Sequence, residues 1–196
     1  MTTAVTTDRR AEIVDAAARL FFARGYGGTS IQDVADEVGI LKGSLYHHID
    51  RKDDLLVAVI DEVHAAAMDR LASAEAMEGG VVDRLVWFLR DHAAYNCRHV
   101  ARIGVYFRDF EHLTGERRTR VAADRRAYDR FVRTTIEAGQ ATGEIPSGVD
   151  ARLTANAVLG MTNWVYQWFD PSTHDADAVA DGLAVLAREM LTGGRP

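Results

Sequence analysis

Residues 29–56 read TSIQDVADEVGILKGSLYHHIDRKDDLL, and the spacing of apolar positions in that run predicts two short helices joined by a tight turn. Ser30 followed three residues later by Asp33 is a helix start signal. Ile31, Val34, Ala35 and Val38 then share one helical face, with Ala35 small where a second helix must cross closely. Gly39 supplies the backbone freedom of the turn. Ile40 and Leu45 bury the turn and the second helix against the first. Lys42, Gly43, Ser44, Tyr46, His47 and His48 remain outward, and these groups suit phosphates and base edges. Two helices so joined are the layout that lays its second helix in the major groove of DNA.

Within that layout each outward residue has an expected contact. Thr29 precedes a helix, where a hydroxyl and free backbone N–H groups can hold a phosphate. Lys52 begins the next helix and can reach the phosphate backbone across the groove, while Tyr46 and His47 can donate to phosphates. Such contacts position a protein without reading sequence. Base reading falls to Lys42 and Ser44, with Gly43 allowing close approach. A lysine on the O6/N7 edge of guanine supplies at best about 1–3 kcal/mol of discrimination. Packing under the helix is the other role open to Tyr46, and a buried, hydrogen-bonded imidazole is the other role open to His48.

The run resembles the DNA-binding domain of TetR-family transcriptional repressors, in which G-x-x-x-G-S-L-Y-x-H-F-x-x-K-x-x-L follows the first helix of the motif. Gly39, Gly43, Ser44, Leu45, Tyr46, His48, Lys52 and Leu55 stand in those places, and Ile49 replaces the usual aromatic residue. The resemblance implies an all-α chain, with a three-helix helix-turn-helix DNA-binding domain over 1–52 and a six-helix ligand-binding and dimerisation domain over 53–196. It also implies repression of transcription by a dimer on a palindromic operator, with release by a small molecule.

Composition agrees with that class. The chain has 196 residues, few prolines and no long alternating strand pattern. Its net charge of −6 argues against a general nucleic-acid coat protein but not against a specific binder, for which the local field counts. The only two lysines, Lys42 and Lys52, both fall inside the expected DNA-binding unit. A single cysteine, Cys97, forbids an intramolecular disulfide and points to a reducing, cytoplasmic setting. No secretory signal or membrane-length apolar run is present, so no membrane partner is expected.

Residues 1–8 read as a loose arm, followed by a helix over about 9–24 and the two motif helices over about 30–38 and 42–49. A long helix then runs to about Met77, and five more are expected over about 82–98, 100–113, 116–142, 150–169 and 177–191. The last two helices carry Ala157, Gly160, Met161, Val179, Leu183, Leu186 and Met190, which are assigned to the homodimer interface as part of a four-helix bundle. The DNA argument asks for such a dimer, because a two-turn recognition helix covers only a few base pairs.

The helix over 82–98 mixes apolar and polar residues on one stripe, which a ligand cavity would explain. Phe88, His92, Tyr95 and Asn96 are assigned to it, with Tyr106, Phe110, Tyr128, Phe131, Trp164 and Trp168 as aromatic walls. A plain core rich in Tyr and Trp is the other explanation. Seven arginines between Arg117 and Arg133 read as a solvated face, or as the mouth of a site for a phosphate-bearing head group. The sensor half also resembles TetR-like regulators of fatty-acid and sterol-side-chain breakdown. It does so through residues 39–48, Tyr106 to Leu113, and Asn163-Trp164-Val165 to Trp168-Phe169. An acyl-CoA thioester is therefore the first choice of inducer, and a drug-like compound acting on an efflux-pump repressor is the alternative. From another class, the alternative is a helical metal- or ligand-binding protein or an enzyme without DNA function. His92, His99, Asp109 and His112 match no metal spacing, and no catalytic set or cofactor motif stands out.

Overall fold

The computed structural model describes the backbone of residues 3–193 and the side chains of residues 9–193. Nine α-helices and two short 3-10 turns make up the regular structure of these residues, and no strand occurs among them. The helices are α1 (Thr3–Arg24), α2 (Ile31–Glu37), α3 (Lys42–Leu45), α4 (Lys52–Ala76), α5 (Val81–Arg98), α6 (Val100–Arg108), α7 (Gly115–Thr142), α8 (Ala151–Asn163) and α9 (Ala176–Thr192). The 3-10 turns are Phe110–His112 and Trp164–Gln167. Contacts cluster into two compact units, one of residues 1–64 with 101–118 and one of residues 65–100 with 119–196.

Three boundaries differ from the sequence expectation, each for a local reason. Helix α1 already begins at Thr3, because TAVTTD contains neither glycine nor proline to stop it; residues 1 and 2 lie outside the described residues. Regular α3 ends at Leu45, and His47, His48 and Ile49 continue it as tight turns onto Ser44 and Leu45. The helix expected to reach Phe169 stops at Asn163. There the Asn96 side-chain amide donates to the Thr162 carbonyl at 3.0 Å, taking over an acceptor at the end of α8. The chain then tightens into the 3-10 turn.

In the first unit Ile13, Ala17, Phe21, Val34, Ala35, Leu45, Leu55 and Val59 are buried, as the apolar periodicity requires. In the second unit α5 is the central element. Leu85, Phe88 and Leu89 pack with Tyr128, Phe131 and Ile136 of α7, Val158 and Leu159 of α8, and Ala187 and Leu191 of α9. A smaller cluster joins Ala93, Ala94 and Cys97 to Val165, Phe169, Ala180 and Leu183. Burial pushes the Cys97 thiol up to about 11, so it is a packed side chain rather than a reactive one. Along α5 and α9, Arg90 pairs with Asp181 at 2.6 Å, Arg98 with Asp177 at 2.6 Å and Arg188 with Asp83 at 2.6 Å. These pairs are solvated and fix register more than they stabilise.

Helix ends are closed by distant side chains. Gly80, at the start of α5, has no capping side chain, and the Glu144 carboxylate instead accepts from the Val81 N–H at 2.7 Å. Asp150 and Asp175 cap α8 and α9 from within their own turns.

Candidate nucleic-acid interface and sensor core

The interface is built on the α2–α3 turn. Ser30 and Asp33 form a reciprocal capping box at the start of α2. Gly39 follows the helix at φ +68, a conformation that side chains with a Cβ adopt only with strain, and so turns the chain into α3. The Arg9 guanidinium donates to the Val38 carbonyl at 3.1 Å and closes the end of α2. Leu45 is fully buried and anchors α3 from below.

The outer face of α3 then carries Lys42, Gly43 and Ser44, all exposed, followed by exposed Tyr46 and His47. A Cβ built on Gly43 meets nothing within 4 Å, and its φ is not in the left-handed region. No internal packing asks for glycine there, so its smallness is available to an approaching partner. Lys42 is the first residue of the four-residue α3 and is exposed. Leu41, which sequence reasoning passed over, is 79% exposed at the N-cap of α3. An apolar side chain beside Lys42 suits the methyl group of thymine. The signal was the pair Ile40-Leu41, of which the turn needs only one residue inside.

Two expected phosphate contacts turn out to have internal duties. Thr29 corrects the expectation: it is 2% exposed, and its hydroxyl donates to the carbonyls of Gly25 at 3.0 Å and Leu20 at 3.3 Å. Its hydrogen is spent on holding the end of α1. The Lys52 ammonium donates to the Tyr26 carbonyl at 2.8 Å and the Thr29 carbonyl at 2.9 Å, and lies 4.1 Å from the Tyr26 ring centroid. Lys52 therefore pins the α1–α2 loop, with a partly exposed ammonium. Tyr26 in turn hydrogen-bonds Asp53 and stacks on His112 at 5.0 Å. Arg108 of α6 donates to the carbonyls of Phe21 at 3.0 Å and Phe22 at 2.8 Å, so the last turn of α6 holds the last turn of α1. His48 is half-buried.

In the second unit the polar stripe of α5 is a closed hydrogen-bond network. The Tyr128 hydroxyl is 2.9 Å from His92 Nδ1, and His92 Nε2 is 2.7 Å from Asn163 Oδ1. Burial, reinforced by the Arg70 guanidinium, pulls the imidazole down to about 3, against the opposing Asn163 hydrogen bond and Asp91 charge. The Asn163 side-chain carbonyl oxygen can only accept, which places the ring hydrogen of the neutral imidazole on Nε2 and leaves Nδ1 to accept from the Tyr128 hydroxyl. The Asn96 amide nitrogen, 3.1 Å from the same Nε2, donates to the Thr162 carbonyl. Arg70, itself buried, donates to Asp91 at 2.7 Å and lies 5.1 Å from the Tyr95 ring. Among the described residues the buried Asn96 Oδ1 has no hydrogen-bond partner.

The expected aromatic walls fall in both compact units. Phe88 contacts Tyr128 and Phe131 at centroid distances of 4.8 and 4.9 Å, which makes them neighbours of His92. Tyr106 and Phe110 belong to the first compact unit. Trp164 and Trp168 are exposed, at 60% and 44%, and belong to no core cluster of this unit. The 3-10 turn after Asn163 rotates them off the stripe of α8 and directs Val165, Tyr166 and Phe169 inward instead. Of the residues assigned to the dimer interface, Gly160, Leu186 and Met190 are exposed, and Ala157, Met161 and Val179 are half-buried. Leu183 is a correction: it is buried in the cluster around Cys97. Among the described residues no group of three or more His, Cys, Asp or Glu could hold a metal ion.

Two outcomes follow from this geometry. Lys52→Ala should lower the unfolding midpoint as well as operator affinity, because it leaves the Thr29 carbonyl without its donor and takes one of two donors from the Tyr26 carbonyl, at a cost of about 1–3 kcal/mol. Lys42→Ala should leave the midpoint within about 0.5 kcal/mol of wild type and erode only the preference for operator over random DNA. Thermal melts beside gel shifts check both, and a Lys52→Ala protein as stable as wild type contradicts the pin.

A further outcome concerns pH. An unfolded chain takes a proton on His92 near 6.5, whereas the folded chain refuses it until about 3. Stability is therefore fully present above pH 6.5 and falls as pH drops toward 3, by at most about 1.4 kcal/mol per pH unit from this group. Urea titrations between pH 7 and 4 should show that slope flattened in His92→Gln. An unchanged slope counts against a buried neutral imidazole.

The chain matches the family model described as "Bacterial regulatory proteins, tetR family" over residues 13–59, and "Tetracyclin repressor-like, C-terminal domain" over residues 78–191. It is 33% identical over 198 residues to the HTH-type transcriptional repressor KstR2 of Rhodococcus jostii, covering 90% of this chain and 91% of that one. A crystal structure of AibR in complex with isovaleryl coenzyme A and operator DNA is 29% identical, with a TM-score of 0.77 over 94% of this chain and 98% of that chain. KstR2 of Mycobacterium tuberculosis shares the fold with a TM-score of 0.88 at 22% identity, over 94% of this chain and 95% of that chain. Together with the turn, the exposed face of α3 and the all-helical architecture, these matches establish that the chain belongs to the tetR family of bacterial regulatory proteins.

Proposed function

We propose that this protein is a cytoplasmic transcriptional repressor that binds a palindromic operator as a homodimer and is released from it by an acyl-CoA thioester. In this reading residues 1–52 carry the DNA contacts, and residues 53–196 carry the ligand and the dimer. The observation that carries it is the exposed run Leu41-Lys42-Gly43-Ser44 at the start of α3, on a turn held by Gly39, Arg9 and Lys52. Lys42, Ser44 and Leu41 reach base edges, Gly43 lets the helix sit close, and Tyr46 and His47 donate to phosphates. Among the described residues no helix is long and apolar enough to cross a membrane.

The dimer reading is supported on α8 and α9. Leu153, Trp164, Val185, Leu186 and Met190 are large apolar side chains left exposed there. Gly160 and Gly182 lie within these helices with nothing within 4 Å of a built Cβ. A helix-interior glycine costs about 1 kcal/mol relative to alanine, and close approach of a second helix is a reason to keep it. Two protomers then set their α3 helices about 34–36 Å apart, one turn of DNA.

The inducer reading rests on the neutral His92–Tyr128–Asn163 network with the unpaired Asn96 Oδ1 beside it, and on likeness to a relative solved with isovaleryl coenzyme A and operator DNA. A buried acceptor without a donor is a place where a polar ligand group can pair.

Leu186→Glu should give a folded monomer with much weaker operator binding, whereas Leu183→Glu should fail to fold because that side chain is in the core. Light scattering with circular dichroism separates the two, and a Leu186→Glu protein that stays dimeric refutes the assigned interface. For the inducer, long-chain and short-chain acyl-CoA thioesters, the free acids and free CoA are titrated into an operator complex. Thioesters alone should release DNA, lowering operator affinity about tenfold or more. Release by none of them, with no thermal stabilisation of the free protein, removes the acyl-CoA assignment.

A further inference from the structure

A groove of about 290 Å³ lies between α7 and α8 in the second compact unit. Arg126, Arg130 and Arg133 line it from α7 and Arg152 from α8, with Asp129 as the one carboxylate and Leu159 at its apolar floor. Four guanidinium groups against one carboxylate make this a strongly positive spot on a chain whose net charge is −6. Arg133 has a solvated partner in Glu137 at 2.9 Å. The guanidinium groups of Arg126, Arg130 and Arg152 form no ion pair among the described residues.

Each element of this arrangement is unfavourable in the empty protein. Positions 126, 130 and 133 share one face of α7, so the arginines repel one another at four- and three-residue spacing, by a few tenths of a kcal/mol per pair. Arg152 stands in the first turn of α8, where the positive end of the helix dipole opposes it. A solvated face would interleave charges, as Arg133 and Glu137 do, rather than aim four cations into one cleft. A bound polyanion removes every one of these costs. Planar guanidinium forks match phosphate oxygens in pairs, which favours phosphate over a lone carboxylate. The volume is at the lower limit for a ligand site and suits a head group rather than a whole thioester. The floor of Leu159 and Ala155 offers apolar surface beside the charges.

We propose that this groove binds the phosphate groups of the inducer, the phosphorylated nucleotide end of a coenzyme-A thioester. The assignment rests on the thioester reading above and deepens it by naming where the ligand's charge is held. Arg126 and Arg130 take one phosphate from α7, and Arg152 takes another from α8. Binding then neutralises repulsion between two helices of the sensor core.

The test is isothermal calorimetry on the full chain with three probes: a long-chain acyl-CoA, free CoA and adenosine 3′,5′-bisphosphate, which is the phosphate-bearing end alone. Wild type is compared with Arg130→Gln/Arg152→Gln and with Arg188→Gln, which loses an arginine of the same unit outside the groove. The double variant should bind the thioester at least tenfold more weakly and lose detectable bisphosphate binding, while Arg188→Gln follows wild type. Wild-type binding of bisphosphate should also weaken as salt rises. Should the double variant fail a melting control, Arg130→Lys keeps the charge and loses the fork, and a several-fold loss is expected there. Thioester binding that is equal in wild type and the groove variants overturns the groove and leaves the thioester reading standing. Bisphosphate binding that requires the groove, with no response to thioesters, upholds the phosphate site and removes the thioester as inducer. No binding of any probe to wild type overturns the groove.

Discussion

The groups left open at helix ends are the constraint on which both halves of this molecule depend. Each helix leaves amides at its start and carbonyls at its end without internal partners, and a buried one costs about 1–3 kcal/mol. Here many of them are paired by side chains far away in sequence. Arg108 closes α1, Arg9 closes α2, Lys52 and Thr29 hold the loop between them, Glu144 opens α5, and Asn96 ends α8. The position of α3, and hence of Lys42 and Gly43, follows from three of these contacts and from the buried Leu45. The surface that α3 presents is thus set by residues outside α3.

The same kind of contact ties α6 into the first compact unit. The chain passes between the two compact units within α4, after the first residue of α6, and within α7. Helix α6 belongs with the DNA-reading unit, although it follows the central sensor helix with only His99 between them. Its Arg108 grips the end of α1, and the 3-10 turn that follows places His112 on Tyr26, which in turn carries Lys52 over its ring. A shift of α6 is therefore a shift at the loop that supports the turn.

Much of the reader unit was legible in residues 29–56, because its signals are local. A capping box, a 3.6-residue apolar period and a glycine at the turn act over fewer than ten residues, and each is found as read. Thr29 and Lys52 were harder, because nothing near them in the chain says that carbonyls of α1 and its loop need donors. In the sensor, the polar stripe of α5 was visible, yet its partners Tyr128 and Asn163 lie 36 and 71 residues away from His92. The exposure of Trp164 and Trp168 was not legible, because a helix ending at Asn163 rather than Phe169 turns every later side chain to another face.

The sequence by itself determined the class of the fold, the helix-turn-helix with Lys42, Gly43 and Ser44 outward, and the apolar faces of α5, α8 and α9. Periodicity carries that information, since a helix repeats its faces by geometry alone. Only the tertiary structure decided which polar residues serve folding and which are free for a partner. It buried Thr29 and Leu183, exposed Leu41 and Leu186, made His92 neutral and brought Arg152 to the arginines of α7. The reason is that burial and charge environment are sums over neighbours from several helices, and those neighbours meet only when the chain has folded.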